Sequence, residues 1–156
     1  MTRIVNVVFA GLGGQGVIKA SDILAEAVAR AGHDVKKAEI HGMSQRGGSV
    51  SSDVRFGAKV YSPMVPPGQA DFLVVLAQSQ VEVARPMLKQ DGVLIEPGQV
   101  DEARLSNKKS LNVALLGALA RHLELADNLW HAAIQAALPE KLHAQNLQAF
   151  AIGKTP

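Results

Sequence analysis

Ile4-Val5-Asn6-Val7-Val8-Phe9-Ala10 is β-branched and almost continuously apolar, the pattern of a parallel strand covered on both faces. Glycines follow at positions 11, 13, 14 and 16. Val17, Ile18, Ser21, Ile23, Leu24, Ala27, Val28 and Ala31 then recur at helical spacing, and Gly32 fits the position just past a helix C-terminus. Asp34 to Ile40 predicts a second, shorter strand of mixed polarity. Strand, tight glycine turn, helix and strand compose a βαβ unit.

The middle of the chain has a different rhythm. His41 to Gly48 is a loop by composition, and Ser49 to Phe56 alternates, with Val50, Ser52, Val54 and Phe56 on one face and Ser49, Ser51, Asp53 and Arg55 on the other. Gly57-Ala58 predicts a hairpin turn into Lys59 to Ser62. After a proline-rich connection, Pro63 to Gly68, Phe72-Leu73-Val74-Val75-Leu76-Ala77 is the clearest buried strand. Ser79 to Lys89 is helical in pattern, with a kink or late break at Pro86, and Val93-Leu94-Ile95 is another short strand. From Leu111 the chain reads as helices over 111–123, about 127–137, and 140–150. The expected fold is α/β: a Rossmann-like three-layer domain with a mostly parallel sheet and a helical C-terminal cap, spanning 1–156 as one domain.

Composition narrows the function. Of 156 residues, 47% are hydrophobic and only 4% aromatic, so the core is aliphatic. A net charge of +2, with no basic run longer than two residues, argues against nucleic-acid binding. Cysteine is absent, so the chain forms no disulfide and supplies no thiolate to an iron–sulfur cluster. No run approaches the ~18 apolar residues of a membrane span, and the N-terminus reads as a strand rather than a signal peptide. A cytoplasmic location without membrane attachment is expected.

Gly11-Leu12-Gly13-Gly14-Gln15-Gly16 satisfies G-x-G-x-x-G between a strand and a helix. Such glycines let backbone approach a ligand, and the helix N-terminus then offers N–H groups to a phosphate. Equally, they serve close strand–helix packing with nothing bound. Glu39, near the end of the second strand, stands where a ribose-binding acid would be, or is a solvated surface charge. The five histidines show no metal-ligand spacing, and His122 and His131 read as surface or packing residues on helices. No metal site is expected. The serines lack a nucleophile elbow, and the length leaves no room for a dehydrogenase's substrate domain. The chain therefore reads as a subunit.

Several segments together carry a resemblance. They are GLGGQGV (11–17), GMSQRGGSV (42–50), VRFG (54–57), SP (62–63), AD (70–71), LNVALLGALA (111–120) and NLQAFAIG (146–153). In this order they resemble the gamma-type subunit of the 2-oxoacid:ferredoxin (acceptor) oxidoreductases, the pyruvate/ketoisovalerate oxidoreductase catalytic domain. The GMSQRGG form resembles in particular the small beta subunit of indolepyruvate ferredoxin oxidoreductases.

The resemblance implies an oxidoreductase subunit inactive alone. Larger partner subunits would carry thiamine diphosphate, Mg and [4Fe–4S] clusters, and the complex would pass electrons to ferredoxin while decarboxylating a 2-oxoacid of the indolepyruvate, pyruvate or branched-chain type. Gly11, Gly13, Gly14, Gln15 and Gly16 would face the coenzyme A side of the shared active site. Met43, Ser44, Gln45, Arg46, Gly47 and Gly48 would form an interface loop beside the thiamine-bearing subunit. Arg46 has a planar fork suited to a carboxylate or phosphate, and is the one catalytic candidate; the equal alternative is structural pairing with a carboxylate across the interface. His41 is a pocket residue or simply solvated. Without its partner, the chain is expected to self-associate through exposed apolar area. The stretch 99–110 is short for this family, which leaves the sheet's edge open. Two other readings stand beside it: a stand-alone Rossmann-type dinucleotide-binding protein, and a non-catalytic scaffold with an empty glycine loop.

Overall fold

The computed structural model describes residues 3–41 and 48–155. Its five-stranded sheet has the order β2-β3-β1-β4-β5, built from β1 (Val5–Leu12), β2 (Asp34–His41), β3 (Ser49–Gly57), β4 (Ala70–Val75) and β5 (Leu88–Ile95). β1 pairs with β4 and β4 with β5 in parallel, whereas β3 runs antiparallel to both β1 and β2. Four of the five strands thus point one way. The glycine turn leads from β1 into α1 (Val17–Arg30). That helix closes with the paired N–H bonds from Gly32 to Ala29 O and from His33 to Val28 O, a Schellman end.

The strand–helix–strand unit is present but split, because β3 is inserted between β1 and β2. The hairpin expected between Ser49–Phe56 and Lys59–Ser62 is absent. Both edges of β3 are already occupied along its full length by β1 and β2, leaving no free ladder for a third partner. The 59–67 segment instead runs across the sheet, anchored by Val60 N–H donating to Asp34 (2.8 Å) and Val65 N–H to Asp53 (2.9 Å).

Alternation along each strand sorts side chains between two cores. On one face Val7, Phe9, Val54, Phe56, Val74 and Ile95 are buried beneath α1, α3 (Leu111–Ala120), α4 (Asp127–Ala137) and α5 (His143–Lys154). On the other, Val8, Ala10, Leu73 and Val75 pack against Val65 and the single turn of α2 (Val81–Ala84), a much thinner third layer. The helical pattern of Ser79–Lys89, with its kink or late break at Pro86, is realised only in part. Only α2 and its flanking 3₁₀ turns at Gln78–Gln80 and Arg85–Met87 are helical, because Pro86 has no N–H to continue a helix and Leu88 has already entered β5. The stretch 97–110 carries three further 3₁₀ turns and no strand, so β5 is the sheet's edge.

Candidate functional site at the glycine turn

The turn sits at the carboxyl end of β1, where open α/β sheets bind ligands. Gly14 and Gly16 have φ of +87° and +84°, a left-handed backbone that side chains disfavour. Gln15 folds back into the turn: its Oε1 accepts from Leu12 N–H (2.7 Å) and its Nε2 reaches Leu76 O (3.5 Å). Its side chain therefore links the end of β1 to the residue that follows β4. A Cβ on Gly11 would lie 2.9 Å from Gln15 Oε1 and from Val17 Cγ2, so this glycine serves packing within the chain.

Gly13 N–H donates to Gly48 O at 2.8 Å. The glycine turn thus touches Gly48, the last glycine of GMSQRGGSV, with Ser49 opening β3 beside Leu12 of β1. Met43, Ser44, Gln45, Arg46 and Gly47 lie outside the described residues, as does the side chain of His41. Glu39 is held by Lys37, which also binds Asp22 of α1 (2.8 and 2.6 Å). Burial works against the Lys37 ammonium, but its two carboxylate partners keep it above the usual lysine range. With β3 inserted, Glu39 stands two strands, roughly 10 Å, from β1, out of the place a ribose-binding acid occupies beside the turn.

Two cavities of about 410 Å³ flank the turn. One is lined by Leu12, Gly13, Gly14, Ile18 and Lys19; the other by Gly14, Gly16, Leu76, Lys108, Lys109 and Asn112. Sequence reasoning missed the last three. The start of α3 is brought to the turn by Asn112, whose Nδ2 donates to Gly16 O (3.2 Å), while Asn107 accepts from Lys109 N–H and caps the preceding 3₁₀ turn. The only signal was the Lys-Lys pair just before an apolar helix, which says nothing of where it points. Two lysines beside glycine backbone suit an anion such as a phosphate. Among the described residues no three His, Cys, Asp or Glu group as metal ligands; His122 packs at a tilt against Phe72, and His131 meets Phe150 edge to face.

Sheet and helices define an α/β domain with a mostly parallel sheet. The chain belongs to the pyruvate ferredoxin/flavodoxin oxidoreductase family, whose model matches residues 6–103, and is a small subunit of the 2-oxoacid:ferredoxin oxidoreductase type. It is 34% identical to indolepyruvate oxidoreductase subunit IorB of Thermococcus kodakarensis, over 95% of this chain and 93% of that protein. The keto/oxoacid ferredoxin oxidoreductase gamma subunit of Geobacter sulfurreducens superposes with TM-score 0.81 at 25% identity, covering 96% of this chain and 95% of that one. The fold also recurs in the 2-oxoglutarate:ferredoxin oxidoreductase of Magnetococcus marinus, solved with 2-oxoglutarate, coenzyme A and succinyl-CoA bound (TM-score 0.81, 22% identity, 99% of this chain and 31% of that one). No helix among the described residues is long and apolar enough to cross a membrane.

Proposed function

We propose that this chain, as one gamma-type domain, completes the coenzyme A side of an active site whose remaining parts belong to larger subunits. Those subunits hold thiamine diphosphate, Mg and the [4Fe–4S] clusters and pass electrons to ferredoxin in the cytoplasm. The substrate is a 2-oxoacid of the indolepyruvate kind, a reading supported by the 34% identity to an indolepyruvate oxidoreductase subunit over nearly the whole of both chains.

The observation that carries this reading is the cavity in which Lys108 and Lys109 face Gly14 and Gly16. Within the turn, the N–H groups of Leu12, Gly13 and Gln15 have partners in the chain itself. The donors that remain for the coenzyme's phosphates are the backbone of Gly14 and Gly16, the first turn of α1 and the two ammonium groups. A stand-alone dinucleotide site is disfavoured by the position of Glu39.

The test uses the complex purified with its larger subunit. Replacing Lys108 and Lys109 together by Ala should raise KM for coenzyme A at least tenfold while leaving kcat for 2-oxoacid oxidation nearly intact. An unchanged KM overturns the placement of coenzyme A. The isolated chain should be colourless, and stoichiometric iron in it would overturn the division of cofactors.

A further inference from the structure

Asp53 lies in the middle of β3, opposite Val8 of β1, with its side chain on the thinly covered face of the sheet. It is 1% exposed, yet only half of its carboxylate is satisfied. Oδ2 accepts from Val65 N–H, while Oδ1 is buried and has no partner among the described residues. Burial pushes this carboxyl above the usual range, against the Val65 N–H and the positive charge of Arg55. Arg55 itself is directed elsewhere, to Asn6 Oδ1 and Ser62 O. A buried carboxylate oxygen with no donor is unfavourable, and such groups are retained where something else completes them.

Among the described residues Asp53 is the one ionisable group lining a cavity of about 280 Å³. Val8 and Ala10 form its floor, and Ile40, Val83, Ala84 and Met87 line its walls. Of its uncharged polar residues, Ser49 and Gln80 hydrogen-bond to each other at 2.9 Å, and Ser51 is the third. Ile40 and Val83, 37% and 67% exposed, are two of the four exposed large hydrophobics among the described residues, and both stand at this cavity. Large apolar side chains left open around one concave site mark a contact surface. Apolar walls around a single buried carboxylate complement one kind of group: a long aliphatic stem ending in a cation, the shape of a lysine or arginine side chain.

We propose that this cavity receives a lysine or arginine side chain of the larger subunit, whose head completes Asp53 and whose stem lies between Ile40 and Val83. This rests on the small-subunit reading above. Ser49 ties the cavity to that reading in space, since it lines the cavity and follows directly on Gly48, the residue bonded to Gly13.

Two variants test it, each measured as isolated chain and in binding to the larger subunit. Asp53→Asn keeps the shape and removes the charge. Val83→Glu leaves the core alone and blocks the rim. Both should weaken binding at least tenfold, and the isolated Asp53→Asn chain should melt no lower than wild type, because a buried, half-satisfied carboxylate has given way to a neutral amide. Unchanged affinity in both variants overturns the docking site while leaving the small-subunit reading intact. A lowered melting temperature for isolated Asp53→Asn, with Val83→Glu binding normally, makes Asp53 a structural residue and overturns it too. Stabilisation of the isolated chain by a small alkylguanidinium, with affinity for the larger subunit unchanged in both variants, would make the cavity a small-molecule site instead. If the wild-type chains form no complex at all, the small-subunit reading falls and takes this proposal with it.

Discussion

Asn112, in the first turn of α3, donates from Nδ2 to the carbonyl of Gly16 at 3.2 Å and so ties that helix to the glycine turn. A Cβ on Gly16 would lie 2.5 Å from the same nitrogen, and φ there is +84°. Gly16→Ala is therefore opposed twice, by backbone strain of about 1–2 kcal/mol and by displacement of Asn112. In urea the single variant should lose at least that much stability. In an Asn112→Ala background the loss should shrink toward the strain alone, a coupling that a double-mutant cycle reads directly.

Gly13 behaves differently. Its φ lies outside the left-handed region, and an added Cβ would meet Gly48 O at an ordinary 3.6 Å. Gly13→Ala should leave thermal stability within about 0.5 kcal/mol of wild type. If coenzyme A approaches the turn on this side, KM for it should rise in the reconstituted complex, and the effect will report on the ligand rather than on the fold.

Helices α3 and α5 meet backbone to backbone. A Cβ on Gly117 would fall 2.1 Å from Phe150 O, and one on Gly153 1.7 Å from Ala114 O. Gly153→Ala should force the helices apart and cost about 3 kcal/mol, the upper end of overpacking in a well-packed core. Denaturant unfolding of that variant, with the exposed Gly98→Ala as control, measures it.

These two glycines explain why LNVALLGALA and NLQAFAIG are recognisable in the sequence: each motif carries the residue that permits the crossing. Ala70-Asp71 is similar, since Asp71 gathers Arg3, Lys89 and the N–H of Asn6. β1, α1, β4 and the C-terminal helices were legible because their periodicity is local. The insertion of β3 between β1 and β2 was not, because a strand's alternation shows which face is buried and leaves its neighbours open. Lys108, Lys109 and Asn112 were invisible for the same reason: what places them at the turn is a contact 96 residues apart in the chain, between Asn112 and Gly16. Gln15 was read as a ligand contact, and in the folded chain its amide is engaged by Leu12 and Leu76.

Asp71 makes stability depend on acid. Burial opposes its charge, but Lys89, the Asn6 N–H and Arg3 outweigh this and hold the carboxyl below its ordinary value of 3.8. With the folded value depressed, its contribution is complete above the unfolded value and is lost as pH falls through the folded one. Asp71→Asn should thus cost about 1.5–3 kcal/mol near neutrality, the worth of hydrogen bonds to a charged group. The gap between wild type and variant should close below about pH 4. Asp53 has the opposite sign: its raised value favours the folded chain most at low pH, and that advantage fades as pH climbs above the unfolded value. Unfolding free energies across an acid series separate the two.

Arg46 belongs to the segment joining β2 to β3, and the anchors of that segment are fixed: His41 pairs with Val50, and Gly48 accepts from Gly13. Arg46→Ala is expected to leave the isolated chain's melting temperature close to wild type, since the bonds that anchor both ends of the segment involve other residues. Its effect belongs in the complex. If the guanidinium pairs with a charge buried on the larger subunit, its loss should weaken association by roughly 3–5 kcal/mol, because an uncompensated charge is left behind. If it only decorates a solvated loop, the loss should stay within about 1 kcal/mol. If it instead holds a substrate carboxylate or a coenzyme phosphate, association should persist while turnover falls, and Arg46→Lys should recover little because a lysine lacks the planar fork. Titrating the variant against its larger subunit and assaying the reconstituted complex gives both readouts. Wild-type affinity together with wild-type turnover would remove Arg46 from the functional site.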